Sequence, residues 1–244
     1  MHIKYFQKGF NYSQDGPGNR LVYHLHGCNL RCPWCSNPEG MLPDREFPAF
    51  PVTNVSVEQL AEEIRSCRPM FFDGGGVTFT GGEVSLQLPA VIELFKILKE
   101  DGINTAIETN AENRDLPKLF PFLDHLIMDL KSADGEKLKK VTGGALEPVL
   151  ENLSAAASSV DTLVHIPLIH GFNDSDEDIE KFIEVLSPFK DRIRVEFLAY
   201  HEYGKDKWAK CGLEYTMADA FLPKGRLGEI NNQLKAVGIN AVRT

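Results

Sequence analysis

Three cysteines, Cys28, Cys32 and Cys35, stand at spacing C-x3-C-x2-C in the stretch GCNLRCPWCSNPEG. Thiolate sulfur is a soft ligand suited to zinc and to iron–sulfur clusters, and three such ligands leave a fourth coordination position open. Structural zinc completed by His24 or His26 is another reading, and three unligated buried thiols a third. Structural zinc sites usually recruit a second paired ligand segment. Nothing downstream supplies one, because Cys67 and Cys211 stand alone and read as small residues without a catalytic role.

Further polar groups fall in short runs beside apolar stretches: Asp15 and Arg20 in DGPGNR, Glu83 in TGGE, Glu108 in IETN, Asp129 and Lys131 in MDLK, His201 in YHEYGKDKW. Each has a plain alternative. Asp-Gly-Pro-Gly by itself is a tight turn, a Lys at a strand end often snorkels to water, and a lone His is commonly a satisfied structural residue. The glycines of TGGE let backbone approach a ligand closely, while Glu83 can accept from an ammonium.

Alternating strands and helices would have to position these groups. Strands are expected at 20–26, 77–80, 103–108, 125–130, 162–168 and 192–199. Between them, Ser56 and Gln59 form a capping box ahead of Val57, Leu60, Ala61 and Ile64. Helices are also expected at 88–100, within 134–158, and after Ser175, where Ile179, Phe182, Ile183 and Leu186 recur at helical spacing. A last helix carries Leu227, Ile230, Leu234 and Val237 and stops at Gly238. About six β/α units imply an α/β fold, either an open doubly wound parallel sheet or a partly closed barrel. Ligand chemistry then belongs at the carboxyl ends of the strands.

Composition narrows the function classes. The 244 residues are 43% hydrophobic and 25% charged, the balance of a globular chain. With 26 Lys+Arg against 35 Asp+Glu, the net charge of -9 lacks the basic field that draws proteins to nucleic acid. No apolar run approaches the ~18 residues of a membrane span, and Met1-His2-Ile3-Lys4 lacks a secretory pattern, so a cytoplasmic protein is expected. The Asn-x-Ser sequons at Asn11, Asn54, Asn152 and Asn173 read as accidental in such a chain, and five cysteines are too few for a disulfide framework.

The cysteine spacing, with Trp34 before the last cysteine, resembles the hallmark of the radical S-adenosylmethionine superfamily. That resemblance implies a [4Fe-4S] cluster on Cys28, Cys32 and Cys35 whose open iron chelates S-adenosyl-L-methionine, and a partial (β/α)6 parallel barrel spanning residues 1–244 as one domain. DGPGNR, TGGE, IETN, MDLK and YHEYGKDKW, in this order, resemble one branch, the activating enzymes of glycyl radical enzymes, of the pyruvate formate-lyase type.

The likeness implies cofactor contacts from Asn37, Gly81, Gly82, Glu83, Glu108, Asp129, Lys131, His165 and His201, of which Lys131 and His201 are nearest the chemistry. It implies peptide contacts from Asp15 and Arg20, and allows a monovalent cation beside Glu108. His165 stands where the branch usually has Arg, His170 where it has Pro, Ala111 where Gly is common, and GGEVSLQ lacks a frequent Pro. The span from Ser36 to Ser56 has no cysteine, so no ferredoxin-like insert is present and electrons must come from a flavodoxin or ferredoxin. The implied partner is a glycyl radical enzyme, met by a monomer; Lys137, Lys139, Lys140, Lys205, Lys207 and Lys210 are either docking groups for an acidic partner or solvated faces. Two rivals stand beside this reading. One is a single-cluster enzyme acting on a small molecule, resembling 7-carboxy-7-deazaguanine synthase; the other is a non-enzymatic iron–sulfur or zinc protein.

Overall fold

A computed structural model describes residues 1–242. Its eight strands are β1 (His2–Tyr12), β2 (Asn19–Leu25), β3 (Thr53–Ser56), β4 (Gly76–Gly81), β5 (Asn104–Thr109), β6 (His125–Asp129), β7 (Asp161–Leu168) and β8 (Ile193–Ala199). They form one sheet in the order β3-β1-β2-β4-β5-β6-β7-β8. From β2 to β8 every neighbouring pair is parallel, giving six parallel strands, while β1 runs antiparallel to both β2 and β3. The sheet stays open, as expected of a partial barrel.

The helices are α1 (Val57–Ser66), α2 (Leu88–Glu100), α3 (Gly135–Thr142), α4 (Leu146–Ala156), α5 (Asp176–Leu186), α6 (Lys205–Lys210) and α7 (Arg226–Ala236). The capping box of Ser56 and Gln59 forms at α1, and Ser175 with Asp178 makes another at α5; each cap is worth about 1 kcal/mol. On α1 the buried face is Val57, Leu60, Ala61 and Ile64, the set spaced for it in the sequence. Among the described residues no helix is long and apolar enough to cross a membrane.

The main buried apolar cluster draws on residues from Ile3 to Ile239, and a smaller one gathers Ile169, Tyr200 and Ala220. A file of edge-on rings, Tyr5–Tyr23–Phe79–Phe95, ties β1, β2 and β4 to α2 with centroid separations of 5.2, 5.3 and 5.2 Å. Such pairs add about 0.5–1.5 kcal/mol each beyond burial. Parallel pairing from β2 to β8 sets the carboxyl ends of the six strands on one side of the sheet.

Two strands and one helix lie outside the sequence expectation. In β1 the apolar alternation of Ile3 and Tyr5 is interrupted by an irregularity between Tyr5 and Gln7, which shifts the period by one residue. β3 has four residues and α6 six, too few for periodicity to register.

Candidate active site

The carboxyl ends of β2, β4, β5, β6, β7 and β8 surround a cavity of about 310 Å³ lined by Cys28, Cys32 and Cys35 together with Asp15, Asn37, Gly81, Gly82, Glu108, Asp129, Lys131 and His201. Most of the groups singled out in the sequence therefore meet, although they are scattered over nearly 190 residues of chain.

All three cysteines are free. Two backbone amides aim at their sulfurs: Leu30 N–H at Cys28 Sγ and Asn37 N–H at Cys35 Sγ, each at 3.4 Å. Burial pushes each thiol up to about 12, with neighbouring thiols adding to the effect. Three converging sulfurs that resist ionisation alone, with amide donors directed at two of them, fit a cationic iron–sulfur cluster that would take the place of their protons.

The turn after β4 depends on glycine. Gly81 has φ +101°, and a Cβ on Gly82 would stand 2.1 Å from the Gly27 carbonyl oxygen, so the TGGE backbone packs directly on the start of the cysteine loop. Glu83 lies behind this lining. Its Oε1 accepts from Ser85 N–H at 2.8 Å and from Thr109 Oγ1 at 2.6 Å, and its Oε2 from Asn110 N–H at 2.8 Å. The carboxylate expected to meet an ammonium instead pins the end of β5 to the turn after β4.

Glu108 faces the cavity. Thr80 Oγ1 donates to its Oε2 at 2.6 Å, and His165 Nδ1 stands 3.5 Å from Oε1. The other imidazole nitrogen lies 3.5 Å from Glu196 Oε2. At these distances and without hydrogen-bond alignment the contacts are ion pairs. Burial works against charge on both partners, but the mutual attraction prevails: His165 is raised to about 10 and Glu108 lowered to about 2. Ligand atoms of Glu108, Asp129 and His165 lie within 4.8 Å of one another.

Lys131 Nζ donates to Asp129 Oδ2 at 2.7 Å. Burial opposes its charge, yet Asp129 and the neighbouring sulfurs outweigh that and raise its pKa above the ordinary lysine value. Asn173 fixes this corner: fully buried, it donates to the Lys131 and Pro167 carbonyls, both at 2.8 Å, and accepts from Ile169 N–H at 2.8 Å. His201 stacks on Tyr203 with centroids 4.2 Å apart, and burial lowers its pKa.

Asp15 and Arg20 part company. Asp15 lines the cavity and accepts from the Asn11 side chain; burial, then the charge of Glu108, raises its pKa. Arg20 has no exposed surface, and its guanidinium donates to Thr78 Oγ1 at 2.7 Å, Asn104 Oδ1 at 2.8 Å, Val77 O at 2.8 Å and Pro17 O at 3.1 Å. It braces the Asp15 loop from below and presents nothing to the cavity, against the expectation of a direct peptide contact.

A second cavity of about 480 Å³ shares Asp15, His24, Asn37 and His201 with the first and continues past Gln7, Gly9 and Asn11 of β1.

The family profile described as Radical SAM superfamily matches residues 22–184. The pyruvate formate-lyase-activating enzyme of Staphylococcus aureus is 33% identical over 220 residues, covering 86% of this chain and 85% of that protein.

The chain belongs to the radical SAM superfamily.

Within the superfamily its curated relatives include pyruvate formate-lyase-activating enzymes, and it is a radical SAM enzyme. Radical SAM membership implies a [4Fe-4S] cluster and S-adenosylmethionine. The fold is shared with a domain of pyruvate-formate lyase-activating enzyme from Bacteroides vulgatus, at TM-score 0.56 and 24% identity, covering 69% of this chain and 98% of that one. It is also shared with a radical SAM methyltransferase from Sphaerobacter thermophilus, at TM-score 0.66 and 16% identity, covering 96% of this chain and 67% of that one.

Sequence reasoning missed Thr80, Asn173 and Glu196. Asn173 registered in the sequence only as an accidental sequon, and Glu196 becomes visible only through strand pairing, which sets it opposite His165.

Proposed function

We propose that this radical SAM enzyme activates a glycyl radical enzyme of the pyruvate formate-lyase type. The observation that carries the reading is that the two cavities adjoin at Asp15, His24, Ser36, Asn37 and His201, so that the thiol-lined chamber borders a cleft along β1 through which a peptide segment would reach the cluster. A closed pocket shaped for a small heterocycle would favour the small-molecule alternative, and this cleft is open.

Cys28, Cys32 and Cys35 would hold the cluster, and the amides of Leu30 and Asn37 would donate to two of its sulfur ligands. When bound, the cluster and S-adenosylmethionine would supply reductive radical chemistry able to take a hydrogen atom from a glycine Cα of the partner. Hydrogen-atom abstraction needs no general base, so the residues around the cavity bind and orient.

The Gly81–Gly82 backbone, held by Glu83 from behind, receives the methionyl end. Asn37, Asp129 and Lys131 orient its polar groups, with Glu108 and His201 toward the nucleoside. His165, as an imidazolium between Glu108 and Glu196, supplies the positive charge that the family's Arg would bring. A monovalent cation beside Glu108 would meet the carboxylates of Glu108 and Asp129. Asp15 meets the peptide directly, and Arg20 acts through the loop that carries it.

The span from Ser36 to Ser56 offers no cysteine for a second cluster, so a flavodoxin or ferredoxin would deliver the electron. The test is anaerobic reconstitution with iron and sulfide, then S-adenosylmethionine and dithionite, with 5'-deoxyadenosine measured with and without a glycyl-radical-site peptide. Peptide-stimulated product is expected; product formed equally without peptide would shift the function to a small molecule.

A further inference from the structure

The segment after β8 grips the cysteine loop at three points. Trp208 Nε1 donates to the Cys35 carbonyl at 2.9 Å. Lys207 Nζ stands 2.7 Å from Glu39 Oε1 and donates to Asn37 Oδ1 at 3.0 Å. Gly204 packs so closely that a Cβ there would meet the Cys35 carbonyl oxygen at 2.6 Å.

The Glu39 side chain has no exposed surface, and Lys207 is its one ion-pair partner among the described residues. A buried carboxylate costs several kcal/mol unless paired, and an apolar contact would brace a loop at lower cost. Glu39 lies four residues beyond Cys35, and around its buried carboxylate charges interact more strongly than in water. Cluster potentials respond to nearby net charge and to hydrogen bonds on the sulfurs. Lys207 bears on both determinants, because it donates to the side-chain Oδ1 of Asn37, the residue whose backbone N–H donates to Cys35 Sγ.

We propose that Lys207 and Glu39 form an electrostatic clamp that sets the reduction potential of the cluster on Cys28, Cys32 and Cys35, with Trp208 anchoring the loop they act on. Lys207, Glu39 and Trp208 are positioning residues and touch no reacting atom. The inference rests on the cluster reading above.

The experiment is a redox titration of anaerobically reconstituted protein, followed by electron paramagnetic resonance. Lys207→Met leaves the Glu39 charge uncompensated and disfavours reduction by about tenfold, ~59 mV for one electron. Glu39→Gln leaves the lysine charge and shifts the equilibrium about tenfold the other way. The double variant returns to within about threefold of the parent. A brace without electrostatic effect would lower cluster occupancy in both single variants without opposed shifts, and single variants that leave the potential unmoved, or move it in one direction, overturn the proposal. Should Lys207→Met fail to hold iron, Lys207→Arg and Glu39→Gln decide: a parental potential in the first and a raised one in the second support the clamp, and an unmoved Glu39→Gln refutes it. A parent protein that binds no cluster would overturn the cluster reading and this inference together, whereas a normal cluster with unmoved variants overturns the inference alone.

Discussion

Glu196 and His165 are direct register partners across β8 and β7, and the glutamate carboxylate lies 3.5 Å from the imidazole Nε2. On the other side of the imidazole, Asp129 is its register partner on β6 and Glu108 approaches Nδ1. One imidazolium thus sits within a row of carboxylates at the carboxyl end of the barrel.

This pairing predicts a pH dependence of stability. His165 is raised to about 10, so its contribution is fully present below the unfolded value of about 6.5 and is lost as pH rises through about 10. Glu108, lowered to about 2, contributes above its unfolded value of about 4.3 and loses that contribution as pH falls through about 2. His165→Gln should cost about 3–5 kcal/mol near pH 6.5 because buried carboxylates lose their counter-charge. Urea unfolding of the apoprotein should show this gap narrowing toward pH 10; a gap independent of pH would refute a charged His165.

Asn173 holds three backbone groups at the ends of β6 and β7. Asn173→Ala should destabilise the protein by about 2–4 kcal/mol, from lost hydrogen bonds and carbonyls left unsatisfied in the interior. Asn173→Asp should be worse, since a carboxylate would face the Lys131 and Pro167 carbonyls. Equal stability of the two variants in a denaturant titration would contradict this role.

Arg20 and Asp15 should separate experimentally. Arg20→Lys forfeits the forked guanidinium contacts and should lower stability by about 2–3 kcal/mol, while Asp15→Asn should leave stability near the parent and weaken peptide stimulation. Comparing thermal melting with the peptide concentration needed for half-maximal cleavage checks both. Unchanged melting in Arg20→Lys would return Arg20 to the peptide site.

Glu83 accepts three donors, so Glu83→Gln must turn an amide N–H₂ toward at least one of them. A loss of about 2–3 kcal/mol is expected in the apoprotein, before any ligand is added. If apoprotein stability held and only S-adenosylmethionine affinity fell, Glu83 would be a ligand contact after all.

Much of this arrangement was legible in the chain itself. The six parallel strands carry dense apolar runs, the Ser56–Gln59 box marks a helix start, and the cysteine spacing marks the loop that brings three thiols to one cavity. What escaped was of two kinds. β1 hides behind a one-residue slip between Tyr5 and Gln7, and α6 is too short to show a period. The tasks of Glu83, Arg20 and Glu196 depend on which strands become neighbours, and a motif names a residue without saying which way its side chain turns.

Hydrogen transfer decides the function most directly. The reconstituted, reduced protein would be given S-adenosylmethionine and a glycyl-radical-site peptide whose reactive glycine carries deuterium at Cα, and the 5'-deoxyadenosine weighed by mass spectrometry. Deuterium should appear in the product, and Cys35→Ala should give neither cluster nor product. Unlabelled 5'-deoxyadenosine, formed at the same rate with or without the peptide, would contradict an activating enzyme.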